Sequence, residues 1–461
     1  MRHLPGPKGL PLLGNLFQLQ LDRLPRDLEA WADHFGPVYA FSMGRRPVVV
    51  VGDPAAILTV LRDRPDGYRR LSAIGTVNRE LGIGGVFSAE GNVWRRQRRR
   101  VAAGLEPAQV RRFLPRLNRI IDRLRRRWLA CAAAGHPLDA QPDLVRLAVD
   151  VTTNFVFDCD MNTLERGDDA FQRHLLRVLP TIGRRVNARF PYWRYVKLPA
   201  DRAAEHAITV LKGRLAGISS RVVAARLGHP ANDCPAPQNL LETWLLDDAT
   251  DPVQLTEDEI FGNSITMLLA GEDTLAWMIH FLVQRPDVQQ RVRDEAESVV
   301  GQHALPEDSR QINALPYLDG VVSETLRLKP PAPLLFLEAQ RTHRLAGTEI
   351  PAGTRLMLLI RWPCLQSEHF TDPWSFHPER WLTPRDAVRY PLHHRAVWMP
   401  FGAGPRFCPG RHLAWLEMKT AIAMICRNFE LLPVAAAGAV REHFSFTMMP
   451  SHAWVRLIAR D

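Results

Sequence analysis

The most informative part of the sequence is the stretch Phe401-Gly402-Ala403-Gly404-Pro405-Arg406-Phe407-Cys408-Pro409-Gly410. Its glycines let the backbone approach a flat ligand closely and adopt positive φ angles. Cys408 comes just before an apolar helical run, Leu413 to Ile425, whose N-terminal amide groups and dipole stabilise a thiolate. Arg406 adds a positive charge that suits a carboxylate on the ligand. A glycine-rich surface loop with an incidental cysteine is the plainer interpretation, and it fits the full pattern poorly.

The same stretch resembles the signature of the cytochrome P450 family, Phe-x-x-Gly-x-Arg-x-Cys-x-Gly, and matches it at every fixed position. The resemblance implies that Cys408 is the thiolate ligand of the iron of haem b, iron protoporphyrin IX. It also places Phe401, Gly402, Arg406 and Gly410 in the cofactor-binding loop. A cysteine thiolate pushes electron density onto the iron and favours cleavage of the O–O bond.

A second informative segment is the apolar run that begins near Leu255 and stops near Arg285-Pro286. Thr256 and Glu259 form a capping-box pattern, which predicts a helix that starts there and runs to about Gln284. Because nearly every face of this segment is apolar, we expect a long buried helix.

The middle of that helix carries the polar segment Ala270-Gly271-Glu272-Asp273-Thr274. Acidic and hydroxyl groups inside a buried helix are costly unless they have a purpose. Gly271 leaves a groove beside the backbone, although an exposed polar break in a surface helix remains the alternative. The resemblance implies that Ala270 and Gly271 lie over the haem. It further implies that Thr274 holds the iron-bound oxygen species and that Asp273 relays protons to it.

Five arginines lie in the seven residues Trp94–Arg100. Trp94 and Arg98 are four residues apart and share a helix face, and the resemblance implies that both contact a haem propionate. The others cannot all point there, so we expect a basic patch on the cysteine side of the haem, formed by Arg95, Arg96, Arg99, Arg100, Arg111 and Arg112. Such a patch suits an acidic electron donor, a ferredoxin or a flavoprotein reductase. Nucleic-acid binding is disfavoured because no aromatic-basic interleaving accompanies the run.

Glu324 and Arg327 have the spacing of one helix face. Taken alone, they predict a solvated ion pair. The resemblance instead implies a structural network of Glu324, Arg327 and Arg380 that fixes the coil leading to the cysteine loop. The chain departs from the family pattern nearby, because Leu337 or Glu338 stands where a propionate-binding arginine is usual. Arg341 is the one candidate substitute in that segment.

The 461 residues suggest about three domains by length alone. The motifs, however, build one pocket from residues near 94, 274, 324 and 408. We therefore predict a single catalytic domain, residues 1–461, that opens with a Pro/Gly-rich segment at 1–12. The resemblance implies a mainly α-helical prism with a small β region. The pattern of Val38 to Val51 predicts a β-hairpin.

The six cysteines form no CxxC pair, so neither a zinc site nor a disulfide framework is indicated. No apolar run reaches the roughly 18–20 residues of a membrane span, and no signal-peptide pattern opens the chain. We expect a soluble, cytoplasmic monomer, with peripheral membrane contact left open. The net charge is +10.

The leading functional hypothesis is a haem-dependent monooxygenase. It would hydroxylate or epoxidise a lipophilic small molecule with O₂ and electrons from a separate redox partner, since no flavin or iron–sulfur segment is present. A haem-thiolate peroxygenase or isomerase and a non-catalytic haem sensor are the alternatives, and the Asp273–Thr274 pair argues against them. The expected pocket walls are apolar: Leu81 to Phe87, the helix face around Met267 and Ala270, Pro333 to Phe336, and Phe446 to Met448.

Overall fold

The fold is mainly α-helical. The computed structural model describes residues 4–166, 170–175, 177–188, 190–227, 239–245, 255–268, 273–382 and 395–460. The α-helices in these residues are α1 Leu24–Phe35, α2 Pro54–Arg62, α3 Ser72–Glu80, α4 Gly91–Gly104, α5 Pro107–Ala134, α6 Gln141–Phe157, α7 Thr163–Arg166, α8 Ala170–Leu175, α9 Val178–Val186, α10 Pro199–Leu227, α11 Leu240–Leu245, α12 Glu257–Leu268, α13 Asp273–Gln284, α14 Pro286–Val300, α15 Ser309–Asn313, α16 Pro316–Leu328 and α17 Arg411–Asn428. Short 3-10 helices lie at Leu21–Arg23, Tyr192–Arg194, Trp362–Leu365, Pro378–Trp381, Arg395–Val397, Gly404–Arg406 and Ala435–Ala437.

The β structure is confined to small sheets, as the sequence predicts. The strands in the described residues are β1 Val38–Met43, β2 Arg46–Val51, β3 Tyr68–Arg70, β4 Leu138–Asp139, β5 Leu334–Ala339, β6 His343–Leu345, β7 Thr348–Ile350, β8 Arg355–Leu359, β9 Phe429–Leu432, β10 Glu442–Phe444, β11 Met448–Pro450 and β12 Trp454–Ala459. The largest sheet has the order β1-β2-β8-β5-β3. Only its β2–β8 pair is parallel, and β1 and β2 form the predicted hairpin.

Strands from distant parts of the chain therefore share one sheet, because β8 lies between β2 and β5. The single catalytic domain stays a prediction, which this pairing supports. None of the helices in the described ranges is long and apolar enough to cross a membrane.

The central helix begins where its capping box predicts. The Thr256 amide donates to the Glu259 carboxylate at 3.0 Å, and the Glu259 amide donates to the Thr256 hydroxyl at 3.2 Å. Two orphan amides at the start of α12 are thereby satisfied. Residues 269–272, between α12 and α13, lie outside the described residues, so one unbroken helix stays a prediction. Most apolar side chains of α12 and α13 are buried, as expected for a helix in the core, whereas Met267 and Val283 are partly exposed.

A glycine contact fixes the loop between α3 and α4 against α12. A Cβ atom on Gly262 would lie 2.6 Å from the carbonyl carbon of Gly84, a separation that side chains do not tolerate. The Val86 amide donates to the Asn263 side-chain oxygen at 2.7 Å beside this contact. The loop at 82–87 is thereby held on the central helix, where the sequence places a wall of the pocket.

The coil before the cysteine loop is tied down by a buried charged network. Arg327 donates twice to the Glu324 carboxylate at 2.8 Å, and Arg380 Nε donates to it at 3.0 Å. All three side chains are fully buried, so the structural network is confirmed and the solvated pair is wrong. Burial alone would raise the pKa of the Glu324 carboxyl, but Arg327 and Arg380 outweigh it and hold that pKa below its ordinary value.

Arg380→Met is expected to lower the free energy of unfolding by about 3–5 kcal/mol, because it leaves the buried Glu324 short of a partner. Arg126→Met is the matched control. Arg126 is 56% exposed and pairs with Asp122 at 3.2 Å, so its loss should cost about 1 kcal/mol or less. Urea unfolding followed by circular dichroism compares the two variants. Equal losses of stability would contradict the role given to the buried network.

Candidate functional site

The cysteine loop is held by its own backbone and by α2. The Cys408 amide donates to the Phe401 carbonyl at 2.9 Å, which closes the loop. Gly404 has φ +67° and packs on the end of α2, where a Cβ atom would collide with the Leu61 carbonyl oxygen. Both conditions require glycine. Cys408 is thus presented just before α17, as the sequence predicts.

Opposing effects act on the Cys408 thiol. Burial raises its pKa above the ordinary value, while the Gly410 and Arg411 amides and the Arg98 guanidinium act in the other direction. The amides at the start of α17 thus favour the thiolate, as the sequence predicts, but burial has the larger effect on the free thiol. A thiol that coordinates a metal ion is deprotonated by the metal. The donor set therefore suits a metal ligand better than a free nucleophile.

Helix α4 lies against the cysteine loop and brings the predicted residues together. Arg98 donates to the Phe407 carbonyl at 2.5 Å. Arg406 stacks over the Trp94 ring, with 4.6 Å from Cζ to the ring centroid, and Trp94 is only 6% exposed. Four side chains predicted to meet a cofactor therefore surround one place: Trp94, Arg98, Arg406 and Cys408.

Two further arginines enter this place, and sequence reasoning missed both. Arg64 follows α2 and is 4% exposed, yet its Nε and Nη2 atoms meet no partner among the described residues. Arg70 ends β3 and donates through Nε to the Phe87 carbonyl at 2.8 Å. Burial, and after it the neighbouring Arg406, lowers the pKa of Arg64 to about 10. Burial and the neighbouring Arg64 and Arg406 also lower the pKa of Arg70.

Glu90 is the carboxylate that balances this cluster. It accepts from the Arg70 amide at 2.8 Å and forms an ion pair with Arg406. One glutamate does not neutralise the positive charge of Arg64, Arg70 and Arg406 together. Buried charges are stable only when they are paired. The cluster therefore calls for additional negative charge from a bound group.

Arg70 also explains the departure from the family pattern on β5. In the antiparallel β3–β5 pair, Arg70 is directly opposite Leu337, and opposed residues present their side chains on the same face. A guanidinium on β3 thus lies opposite the position where the family pattern has an arginine on β5. Glu338 instead pairs with Arg69 and accepts from the Ser72 hydroxyl at 2.8 Å.

The candidate substitute Arg341 does not fill this role. It pairs with Asp63 at 3.1 Å, and its side chain is 64% exposed.

The basic patch also needs correction. Arg95 pairs with Asp66 at 2.6 Å, and Arg96 pairs with Glu259 of α12. A carboxylate therefore offsets the positive charge that each of these arginines was expected to add to the patch. Acidic side chains from distant segments decide both cases, and nothing in the local sequence indicated them.

The central helix is only partly described at the predicted oxygen site. Thr274 lies in the first turn of α13 and is 8% exposed. The backbone of Asp273 is described, but its side chain is not, and Ala270 and Gly271 lie outside the described residues. The burial of Thr274 agrees with the buried helix and not with a surface break.

Two predicted pocket walls meet in the structure. Phe87, from the loop before α4, contacts Phe446 near the C-terminus edge-to-face, with ring centroids 5.6 Å apart. Arg70 lies over the Phe87 ring at 3.6 Å, so this pair adjoins the arginine cluster. Met448 is fully buried, and its sulfur lies 3.1 Å from Arg361 Nη1, which indicates a packing role.

These residues fit a haem. Cys408 lies near Arg98, and the buried nitrogens of Arg64 and Arg406 that have no partner among the described residues can bind carboxylates such as the two propionates. Cysteine ligation of this kind defines a haem-thiolate protein.

The comparisons with known proteins agree. A family profile described as Cytochrome P450 matches residues 4–453, so the chain belongs to the cytochrome P450 family. Its cofactor is accordingly a haem-thiolate, and its general activity is that of a haem monooxygenase. The chain is similar to a crystal structure of a cytochrome P450 (CYP102L1), with a TM-score of 0.84, 23% identity and 99% of both chains covered, which confirms the fold.

Curated relatives include enzymes of different architecture. The chain is 26% identical to thromboxane-A synthase of Sus scrofa, covering 98% of the chain and 91% of the relative. It is 27% identical to the self-sufficient cytochrome P450 monooxygenase CYP505E5 of Aspergillus niger, covering 99% of the chain and 43% of the relative. The chain therefore spans less than half the length of that self-sufficient relative.

Arg64→Met is expected to weaken haem binding by about 10- to 150-fold, because a charge-assisted hydrogen bond to a buried carboxylate contributes about 1.5–3 kcal/mol. Titration of haem into the apoprotein, followed by absorbance, measures the affinity. Arg341→Met is the matched control, since Arg341 follows β5 of the same sheet but is exposed. This variant should bind haem as the wild type does. Equal affinities in the two variants would remove Arg64 from the cofactor site.

Proposed function

We propose that this cytochrome P450 inserts one oxygen atom of O₂ into a lipophilic small molecule, by hydroxylation or epoxidation, with electrons from a separate redox partner. The observation that carries the proposal is the convergence of Cys408 with buried arginines whose charge exceeds that of Glu90. A cytoplasmic location and a monomeric state stay predictions.

The cofactor that this site suits is haem b, which, when bound, supplies the activation of O₂ at its iron. Cys408 would be the iron ligand, and Gly402 and Gly410 would let the loop approach the ring. Arg98 and Arg406, joined by Arg64 and Arg70, would hold the propionates. Trp94 keeps Arg406 in place by stacking against its guanidinium.

Thr274 and Asp273 are the proposed catalytic pair. The Thr274 hydroxyl would hold a proton at the oxygen-binding side of the site, and the Asp273 carboxylate would exchange that proton with solvent. The burial of Thr274 supports this role because a buried hydroxyl keeps its proton away from bulk water. Ala270 and Gly271 would leave the space beside them.

A lipophilic substrate is supported by the aromatic wall of Phe87 and Phe446. The wall is formed by two loops that meet only in the folded chain, and the loop of Phe87 is anchored to α12 by the contact between Gly84 and Gly262. Rigid aromatic walls favour flat or extended apolar molecules.

The electron donor is proposed to dock on exposed residues of α4 and of the start of α17. Arg99 and Arg411 are exposed there, and Arg411 lies 5.8 Å from the Phe407 ring beside Cys408. Arg111 and Arg112 on α5 are also exposed and extend the basic surface proposed from the sequence. Such a surface attracts an acidic donor and speeds its encounter.

Reduced wild-type protein with CO is expected to absorb far to the red of an imidazole-ligated haem. Thr274→Ala should keep that band but release more hydrogen peroxide for each NADPH consumed, because the hydroxyl that holds the proton is lost. Thr209→Ala is the matched control, since the Thr209 hydroxyl is exposed and donates to the Glu205 carbonyl. Absorbance and peroxide assays make the measurements.

A histidine-type CO spectrum would overturn the thiolate assignment. Unchanged peroxide yield in Thr274→Ala would remove Thr274 from the mechanism. Full turnover with peroxide and none with electron donors would establish a peroxygenase in place of the monooxygenase.

Arg99→Glu with Arg411→Glu should slow reduction by an acidic donor at low ionic strength, and the difference from wild type should shrink as salt screens the charges. Arg202→Glu, an exposed arginine on α10, is the control and should behave as wild type. Stopped-flow reduction over a salt series measures the rate. If the reduction rate of the double variant depended on salt as that of the wild type does, the donor would dock elsewhere.

A further inference from the structure

A chain of aromatic rings leads from Phe401 of the cysteine loop to Trp381. Phe401 lies 6.1 Å from Trp415 of α17, measured between ring centroids, and Trp415 lies 6.4 Å from Trp398. Trp398 in turn lies 5.0 Å from Trp381, at the end of the coil that the buried charged network holds. Neighbouring rings are therefore in direct contact along the whole series.

The chain connects two parts of the molecule. The main core is contacted by Phe401, Trp415 and Trp398. A small cluster around Phe370 and Cys364 is contacted by Trp381 and by Trp398 as well. Trp381, Trp398 and Trp415 are all partly exposed. Packing alone does not require tryptophan at three neighbouring places in this chain of rings. Phenylalanine and leucine fill such spaces without an N–H group that needs an acceptor.

The indole N–H groups at both ends of the chain face carboxylates. Trp415 Nε1 donates to Asp319 at 2.7 Å, and Trp381 Nε1 donates to Glu324 at 2.8 Å. The Asp319 side chain is 40% exposed and also pairs with Lys419 at 2.9 Å. An indole that loses an electron becomes a strong acid at Nε1, so a carboxylate already bonded to that hydrogen can accept the proton.

Cations lie over the end rings. Arg411 Cζ is 5.8 Å from the Trp415 centroid, and Arg395 Cζ is 5.9 Å from that of Trp381. A guanidinium over a ring disfavours positive charge on it. Oxidation of Trp415 is therefore expected to be accompanied by proton transfer to Asp319, which leaves a neutral radical. Glu324 is a weaker acceptor because two arginines share it.

We propose that Trp415, Trp398 and Trp381 conduct single electrons between the cysteine loop and the outer surface, and so protect the haem from oxidants when no substrate is bound. The proposal rests on the haem-thiolate site proposed above. It assigns to these residues a second path, which begins beside Arg411 of the proposed docking surface and ends at Trp381.

The electrons and protons balance with hydrogen peroxide as oxidant and ascorbate as reductant. Peroxide takes up two electrons and two protons and gives two water molecules, and its O–O bond breaks. Ascorbate supplies two electrons and one proton and becomes dehydroascorbate, and the second proton comes from the solvent. Trp415 gives one electron to the site at the cysteine loop, across the Phe401 ring. Trp398 then reduces Trp415, Trp381 reduces Trp398, and ascorbate reduces Trp381. The Trp415 proton moves to Asp319 and returns when the ring is reduced.

Trp398→Phe is the decisive variant. Trp398 Nε1 is buried and meets no acceptor among the described residues, so phenylalanine removes no hydrogen bond there and keeps an aromatic ring. It interrupts the chain because phenylalanine is much harder to oxidise than tryptophan. Trp454→Phe is the matched control, since Trp454 is 42% exposed on β12 and is not one of the rings of this aromatic chain.

The experiment mixes the haem-loaded protein with hydrogen peroxide and freezes it after milliseconds for electron paramagnetic resonance, while absorbance follows haem bleaching. Wild type and Trp454→Phe should show a tryptophan radical that ascorbate removes. Trp398→Phe should bleach severalfold faster, and ascorbate should protect it less. Circular dichroism and the CO band verify that each variant is folded and loaded.

Equal bleaching and equal radical signals in Trp398→Phe and Trp454→Phe, with a normal thiolate CO band, would overturn the electron path alone. Absence of the thiolate CO band in the wild type would overturn the proposed function and this inference together. Asp319→Asn provides a second test, since it should slow radical formation at Trp415, and an unchanged rate would overturn the proton transfer.

Discussion

The excess of buried positive charge around Glu90 is the constraint on which the site depends. Arg64, Arg70 and Arg406 come from the end of α2, from β3 and from the cysteine loop, and only the folded chain brings them together. Like charges at close range destabilise one another, so this arrangement persists only because the surrounding packing holds it. The contact of Gly404 with α2, the pairing of β3 with β5 and the fit of α4 against the loop are the elements that do so.

Local pattern was sufficient to predict the parts of the site that lie within one short segment. The ten residues around Cys408, the capping box at Thr256 and the hairpin at Val38 to Val51 are specified by neighbours in sequence, and the structure confirms their geometry. The Glu324–Arg327–Arg380 network was also predicted, but only through the family resemblance, because spacing alone indicated a solvated pair. Its burial depends on the coil that packs over α16.

Residues whose roles come from distant partners could not be predicted in this way. Arg70 faces the site because β3 pairs with β5 in one register. Arg95 and Arg96 add less charge to the basic patch than expected, because they form ion pairs with Asp66 and Glu259. A short strand with two arginines beside a tyrosine was the one signal that pointed to Arg70. Arg64 gave no signal, since its importance appears only in its burial.

The arginine cluster also has a thermodynamic consequence for the apoprotein. A group that binds the folded chain and not the unfolded chain adds its binding free energy to stability. Because the propionates would relieve a repulsion that folding itself creates, the cofactor would act as a folding ligand as well as a reactive centre. Supply of haem during synthesis would then set how much of the chain reaches its compact state, and the cell's quality control would remove the rest.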